Sequence, residues 1–359
     1  MKVFKISVIL FALTCGFSTN MLAQSKAVST KRPNIVVIIS DDHAYQAIGA
    51  YGSKLMPTPN IDRIANEGVL FNNGYVTNSI CGPSRAVFLT GKYSHKNGFK
   101  DNENSRFDGS QDSFVKQLKN TGYQTAWIGK WHLETQPQGF DFWQILPGQG
   151  QYYNPDFHMM DGSKKQKEGY VSDVIEDVSE NWLSNRDPNK PFCLVIGHKA
   201  THRTWIPDAQ DMGKYDHITF PLPHNFYDNY TNREAAKVQD MTISKTMQMG
   251  YDLKMFGTEN EANKEGTIMR MNPEQRQKFD AYYGAVNADL KSKNLSGKEL
   301  IEWKYQRYMR DYLSTAASLD RNIGRTLDYL KEHGLEENTI VIYLSDQGFY
   351  LGEHGWFDK

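Results

Sequence analysis

Short apolar runs alternate along this chain with segments whose apolar residues step by three and four. Asn34–Ser40 contains Ile35-Val36-Val37-Ile38-Ile39 without a polar break. That is the pattern of a strand buried on both faces, as in a parallel sheet. Residues 124–129, 192–197 and 339–344 form three more such runs, the last two read as buried strands. Helical spacing predicts a helix over 173–184, with Val171, Val174, Ile175, Val178 and Trp182 on one stripe. A long helix carries Tyr305, Tyr308, Tyr312, Ala316, Leu319, Ile323, Leu327 and Leu330 on one core-facing side and stops at Gly334. Shorter helices are expected at 61–66, opened by Thr58-Pro59-Asn60, at 83–90, and at 113–119 with Ser113 as cap. In the second, Pro83 suits the first helical position and Gly91 the stop. Residues 70–76 read as extended and 134–165, rich in Gly, Pro, Tyr and Asn, as loop. Residues 203–298 are polar and irregular with helical pieces, an insertion or lid. The alternation of β and α predicts a parallel-containing sheet flanked by helices.

All four strands end in polar clusters: Asp41-Asp42-His43, Lys130-Trp131-His132, His198-Lys199 with His202, and Ser345-Asp346-Gln347. Open α/β sheets gather their working residues at such strand ends. Adjacent carboxylates repel unless something positive sits between them. A single Asp in such a place is ordinarily a turn or cap residue, but two such pairs at strand ends, Asp41-Asp42 and Asp346-Gln347, favour a hard cation, Ca²⁺ or Mg²⁺. No Cys/His spacing suggests zinc. Cys81 sits at the mouth of the helix expected at 83–90, beside free N–H groups, with Arg85 one turn in. This suits an anion or a reactive thiolate, although a lone cysteine is by default a buried structural residue.

The chain has 359 residues, 39% hydrophobic and 13% aromatic, with net charge −1. This is globular composition, and it lacks the basic excess that nucleic-acid binding calls for. Lys2 and Lys5 precede an apolar run from Ile6 to Phe17, and Ala23 offers a cleavage point, so residues 1–23 read as a secretory signal too short for a membrane span. Its removal takes two lysines and no acid, leaving −3. Export to the periplasm or the cell exterior is expected, with lipid attachment at Cys15 as the alternative. Cys81 and Cys193 have the option of one disulfide in an exported protein, but Cys193 lies in an apolar run and reads as core.

The run Cys81-Gly82-Pro83-Ser84-Arg85, followed by Ala86, Leu89, Thr90 and Gly91, resembles the signature of the type I sulfatases. R-P-N-I-V-V-I-I-S-D-D (32–42), T-P-N-I-D-R-I-A-N-E-G (58–68), G-K-W-H-L (129–133) and S-D-Q-G (345–348) look like further sulfatase blocks in the right order. The resemblance implies an alkaline-phosphatase-like α/β fold with a large, mixed, mostly parallel sheet between helices. It implies one catalytic domain over 24–359 that stops within a family block, short of a C-terminal subdomain. It also implies that Cys81 is oxidised to formylglycine by a formylglycine-generating or anaerobic maturation enzyme. Carried across, Asp41, Asp42, Asp346, Gln347 and residue 81 would hold Ca²⁺ (or Mg²⁺). The family more often has Asn at the position of Gln347. Lys130, His132, His202 and Lys359 would face the same pocket, with Lys130, Lys359 and His202 on the substrate. His202 lies in A-T-H-R, where the family usually reads A-P-H.

What the family implies as chemistry is attack by the aldehyde hydrate on sulfur, favoured by the metal and Arg85. Lys130 and Lys359 neutralise the sulfate, His202, alone or with Lys359, protonates the leaving alcohol, and His132 takes the proton whose loss re-forms the aldehyde. P-G-Q-G-Q-Y-Y-N-P-D-F (147–157) and residues 345–359 are most similar to the N-acetylglucosamine-6-sulfatase branch, which removes sulfate from heparan- or mucin-type glycans. Tyr152, Tyr153 and Trp205 are expected as sugar-stacking walls. The alternatives are another carbohydrate sulfatase such as an iduronate-2-sulfatase, a phosphonate or phosphate ester hydrolase of the same superfamily, or an inactive glycan-binding fragment. His43, His95, His198 and His354 read as structural or substrate-side.

Overall fold

Seven strands make one sheet in the order β5-β4-β3-β2-β6-β1-β7. They are β1 (Asn34–Ser40), β2 (Gln124–Lys130), β3 (Phe142–Leu146), β4 (Asp156–Met159), β5 (Lys164–Gln166), β6 (Phe192–Gly197) and β7 (Thr339–Ser345). From β3 to β7 the neighbours are parallel; β4 and β5 add an antiparallel edge. The computed structural model describes residues 31–257 and 266–359. The expected export signal, residues 1–23, and Cys15 lie outside the described residues.

The uninterrupted apolar runs are explained by burial on both faces. Val36 and Ile38 of β1 join the core shared with α4 (Val171–Asn185) and α6 (Gly297–Glu332). Val37 and Ile39 point the other way, to α2 (Cys81–Thr90) and α3 (Phe114–Asn120). The side-chain alternation of a strand thus feeds two cores at once. Trp205, Phe220, Ile243, Leu253 and Phe279 bring the 203–298 segment into the first of these cores. That segment includes α5 (Pro273–Lys293), opened by a capping box between Asn272 and Gln275. Pro33–Lys359 cluster as one compact unit. Among the described residues no helix is long and apolar enough to cross a membrane.

Four expectations change. Strand β7 is an edge, not a buried strand: Ile340 and Ile342 are 49% and 43% exposed, because a continuous apolar run does not say how many neighbours a strand has. Residues 70–76 form no strand. They are turns and open chain with Phe71 and Tyr75 in solvent, and Asn72-Asn73-Gly74 supplies the turn chemistry. The stretch 134–165 is not all loop, since β3, β4 and the start of β5 lie within it. The β3 run is short and flanked by Gly and Pro, and β4–β5 is a polar hairpin. Finally, α2 begins at Cys81, two residues before Pro83.

Candidate active site

The site is built at the carboxyl ends of the parallel strands. Ser40 pairs with Ser345 in the last rung of β1 and β7, so Asp41-Asp42 and Asp346-Gln347 leave the sheet side by side. The Asp42 amide donates to Asp346 Oδ1 at 3.2 Å and the Asp346 amide donates to the Ser40 carbonyl at 3.0 Å. Asp42 has a φ of 64°, a left-handed conformation that Asp tolerates. Its carbonyl is held by the hydroxyls of Tyr312, from α6, at 2.8 Å and of Thr201 at 3.0 Å. The Thr201 amide donates to the Asp41 carbonyl at 2.6 Å.

Residue 81 enters at the first position of α2. Cys81 Sγ lies 3.3 Å from Asp41 Oδ1 and 3.7 Å from Gln347 Nε2. One turn later, Arg85 donates from Nε to Asp346 Oδ2 at 3.0 Å and from Nη1 to the Lys130 carbonyl at 2.8 Å. Ser84 donates to the Asp346 carbonyl. A pair of glycines makes room for this. A Cβ on Gly129 would lie 2.1 Å from the Gly197 carbonyl oxygen, and one on Gly197 would lie 2.5 Å from that of Lys130. With φ of 97° at Gly129 as well, β2 and β6 press together as no other residue pair would allow.

The cations face the acids. Lys130 pairs with Asp41, both fully buried, and Lys359 donates to Asp42 Oδ2 at 2.6 Å. His202 Nε2 lies 3.9 Å from Asp42 Oδ2, and its Nδ1 is 2.6 Å from the Arg203 carbonyl. A carbonyl only accepts, so Nδ1 carries the proton and Nε2 faces the acids.

Charge separates the two neighbouring aspartates. Burial alone would raise both. At Asp41, Lys130, His202 and Arg85 overcome it and hold the carboxyl well below the usual range. At Asp42, burial and the Asp41 charge win over Lys359, and the carboxyl is raised to about 6. Asp346 rises to about 7 through burial and Asp41, against Arg85. Burial and the Asp41 charge push the Cys81 thiol up to about 12. A thiol so placed stays protonated and is a poor nucleophile, contrary to the reactive thiolate that a helix mouth suggests. His132 is lowered to about 3 by burial and Lys130, and its Nδ1 is buried without a partner. Lys199 is lowered to about 7 by burial and by Lys130.

A hard divalent cation suits this donor set. Asp41, Asp42 and Asp346 each offer an oxygen within 4.8 Å of the others'. Gln347 Nε2 donates to Asp42, which leaves its Oε1 buried with no partner. Three close carboxylates and an orphaned amide oxygen are ligands for Ca²⁺ or Mg²⁺.

The structure gathers Asp41, Asp42, Cys81, Arg85, Lys130, His132, His202, Asp346, Gln347 and Lys359 around one point. It excludes the expected sugar-stacking walls. Tyr152, Tyr153 and Trp205 are at most 2% exposed and are core residues. Cys193 is likewise buried, and both described cysteines are free. His43 contacts Tyr343, His198 faces Glu176 and His354 faces Asp228. Sequence assigned no role at this site to Ser84, Gln149, Lys199, Thr201 or Tyr312. Tyr312 lies on the apolar stripe of α6, where the pattern shows its ring and hides the task of its hydroxyl.

Residues 33–358 match the sulfatase family model. The chain belongs to the sulfatase family. It is 50% identical over 347 residues to an N-acetylglucosamine-6-O-sulfatase of Bacteroides thetaiotaomicron, covering 94% of this chain and 62% of that protein. It is 26% identical to the iduronate 2-sulfatase of Mus musculus, covering 92% and 57%. The chain thus spans about three fifths of the length of these relatives. A solved structure in complex with its substrate D-glucosamine-2-N,6-O-disulfate superposes with a TM-score of 0.88 at 50% identity, over 91% of this chain and 68% of that one. A protein crystallised with a neocarrahexaose superposes at 0.60 with 21% identity, over 90% and 60%, a likeness of fold alone. The fold is therefore the alkaline-phosphatase-like sulfatase fold.

Proposed function

We propose that the chain is the catalytic part of an exported sulfuric ester hydrolase that removes the 6-O-sulfate of N-acetylglucosamine, or of N-sulfated glucosamine, from heparan- or mucin-type glycans. One observation carries the reading. Cys81 faces three buried carboxylates on one side and Lys130, Lys359 and His202 on the other, in a chain half identical to an N-acetylglucosamine-6-O-sulfatase.

Asp41, Asp42, Asp346 and Gln347, with residue 81, would hold Ca²⁺, Mg²⁺ being the alternative. When present, the cation and the formylglycine made from Cys81 by a maturation enzyme supply an oxygen nucleophile active near neutral pH. The remaining work falls to the chain's own side chains. Arg85, fixed on Asp346, keeps a positive charge under residue 81. Lys130 and Lys359 turn from Asp41 and Asp42 to the sulfate oxygens, neutralising charge that spreads over them during transfer. His202, its Nδ1–H held on the Arg203 carbonyl, presents Nε2 to the leaving oxygen and passes it a proton in the imidazolium form, where both ring nitrogens carry one. His132, kept neutral by burial and Lys130, is free to accept one.

The test is sulfate release from N-acetylglucosamine-6-sulfate by protein co-expressed with a maturation enzyme. The mass of the tryptic peptide holding residue 81 reports conversion. Release that disappears in Cys81→Ala is the expected result. Full activity in Cys81→Ala would overturn the mechanism, and faster turnover of nitrophenyl phosphonate than of nitrophenyl sulfate would overturn the substrate class. Glycan binding without sulfate release, in a chain that carries the aldehyde, would assign a non-catalytic role.

A further inference from the structure

One lysine at this site has no acidic partner. Lys130 is paired with Asp41 and Lys359 with Asp42. Lys199, only 4% exposed, is in none of the ion pairs among the described residues. Its Nζ donates to the Gln149 carbonyl oxygen at 3.1 Å and stands 4.7 Å from the centre of the Tyr152 ring. The side-chain oxygen of the same Gln149 accepts from Lys130 Nζ at 2.5 Å. Gln149 therefore joins two lysines, one through its backbone and one through its amide.

Gln149 lies between Gly148 and Gly150, whose φ values are 51° and 68°. A Gly-Gln-Gly corner has much conformational freedom to lose on ordering. Within the corner, the Gly150 amide bonds to the Pro147 carbonyl at 2.9 Å. The bond from Lys199 ties it to β6, because Lys199 follows Gly197 by two residues and its own carbonyl accepts the His202 amide at 3.0 Å. An ammonium buried without a carboxylate is costly to desolvate, and here its contacts are that carbonyl and an aromatic face.

Asp41 does not serve a divalent cation and Lys130 equally well at the same time. Gln149 is the other side-chain acceptor of Lys130, the one left to it if Asp41 serves a cation. Being neutral, it orients the ammonium without cancelling the charge that an anion would need. We propose that Lys199 and Gln149 form a positioning relay for Lys130, in which Lys199 fixes the Gln149 corner and Gln149 aims the Lys130 ammonium at the substrate anion. This rests on the sulfate-ester reading above.

Protein that has not been matured keeps the thiol at residue 81, so binding is measured without turnover. Calorimetric titration with D-glucosamine-2-N,6-O-disulfate in calcium is expected to show weakening of about tenfold or more for Lys199→Met and for Gln149→Leu, the scale of a lost charge-assisted hydrogen bond. The double variant should bind no more weakly than the weaker single, since both changes cut one path. Gln149→Glu keeps an acceptor but adds a negative charge, and should also weaken binding, whereas a merely structural glutamine would tolerate it. Calcium affinity should not change. Hydrogen exchange across residues 147–151 should quicken in Lys199→Met, with β7 unaffected. Unchanged ligand affinity in the single variants, or losses that add in the double variant, would overturn the relay. Unchanged exchange at 147–151 would overturn the anchor. Failure of the unsubstituted protein to bind the disulfate would count against the sulfate-ester reading alone, and exchange would still decide whether Lys199 holds the corner.

Discussion

The two sides of Cys81 are made differently. The acidic side rests on two adjacent strand ends, β1 and β7, and is tied by backbone bonds to Ser40, Ser84, Thr201 and Tyr312. The basic side is gathered from four places: Lys130 at the end of β2, Gln149 after β3, Lys199 and His202 after β6, and Lys359 beyond Phe357. Its groups sit on long side chains, and two of its lysines rest on the very carboxylates that a metal would take. Buried charge has to be paired. On the proposed reading the acidic side would act as a fixed frame, and the basic side as the counter-charge that neutralises it until a cation and an anion arrive together.

The largest effect should come from breaking the frame. Arg85→Met strands Asp346 in a buried site, at a cost of about 3–5 kcal/mol, read by denaturant unfolding. A loss within the noise of that measurement would mean the acidic side does not depend on Arg85. Calcium at about a hundred times its Kd should stabilise the protein by about 2.7 kcal/mol. Asp346→Asn should blunt that gain, while Lys130→Met should retain it; the reverse pattern would erase the division between frame and counter-charge.

The same division has a pH signature in chelator. Asp42 and Asp346, raised from 3.8 to about 6 and about 7, hold protons in the folded state that the unfolded chain releases. Their contribution is complete below about pH 4 and is lost as pH rises through those two values. Asp41, lowered, works in the opposite sense: its contribution is present above about pH 4 and is lost only as the pH falls below that. His43 and His132, lowered to about 4 and about 3, and His202, also lowered, gain stability over the same range as the pH rises. The decline is therefore read as the stability of the protein in chelator minus that of Asp346→Asn. This difference should fall between about pH 4 and about pH 8, and calcium, by replacing the proton, should flatten it. A flat difference in chelator would show that the frame's charges are not strained.

Smaller changes test how the frame is held. Tyr312→Phe removes a hydroxyl that donates to the Asp42 carbonyl and accepts from the Ala44 amide at 2.8 Å. It should cost about 1–3 kcal/mol in unfolding, with a weakened calcium response. Ile342→Thr, on the outward face of β7, should stay within about 0.5 kcal/mol and leave the calcium response unchanged. A large loss there would show that this face of the strand is part of the core.

Much of the frame was legible beforehand, because its signals are local. An apolar β-branched run that gives way to Asp41-Asp42, or to Asp346-Gln347, is a strand that ends in polar chemistry, and both pairs were recognised that way. The motif around Cys81 placed the helix within two residues. Gln149 and Lys199 were not legible, since their meaning lies in a carbonyl contact between two loops. Tyr152, Tyr153 and Trp205 were misjudged for the same reason. An aromatic in a polar loop has one appearance in sequence and two fates, and only packing decides between solvent and core.

By itself the sequence determined four of the parallel strands, that each of them ends in polar chemistry, and that a helix starts within two residues of residue 81. Those follow from hydrophobic period and local backbone preference, which act over a few residues. Only the tertiary structure decided that β7 is an edge beside β1, that neighbouring Asp41 and Asp42 hold their protons differently, and that one glutamine joins two lysines. Strand order, burial and the sum of nearby charges depend on residues far apart in the chain.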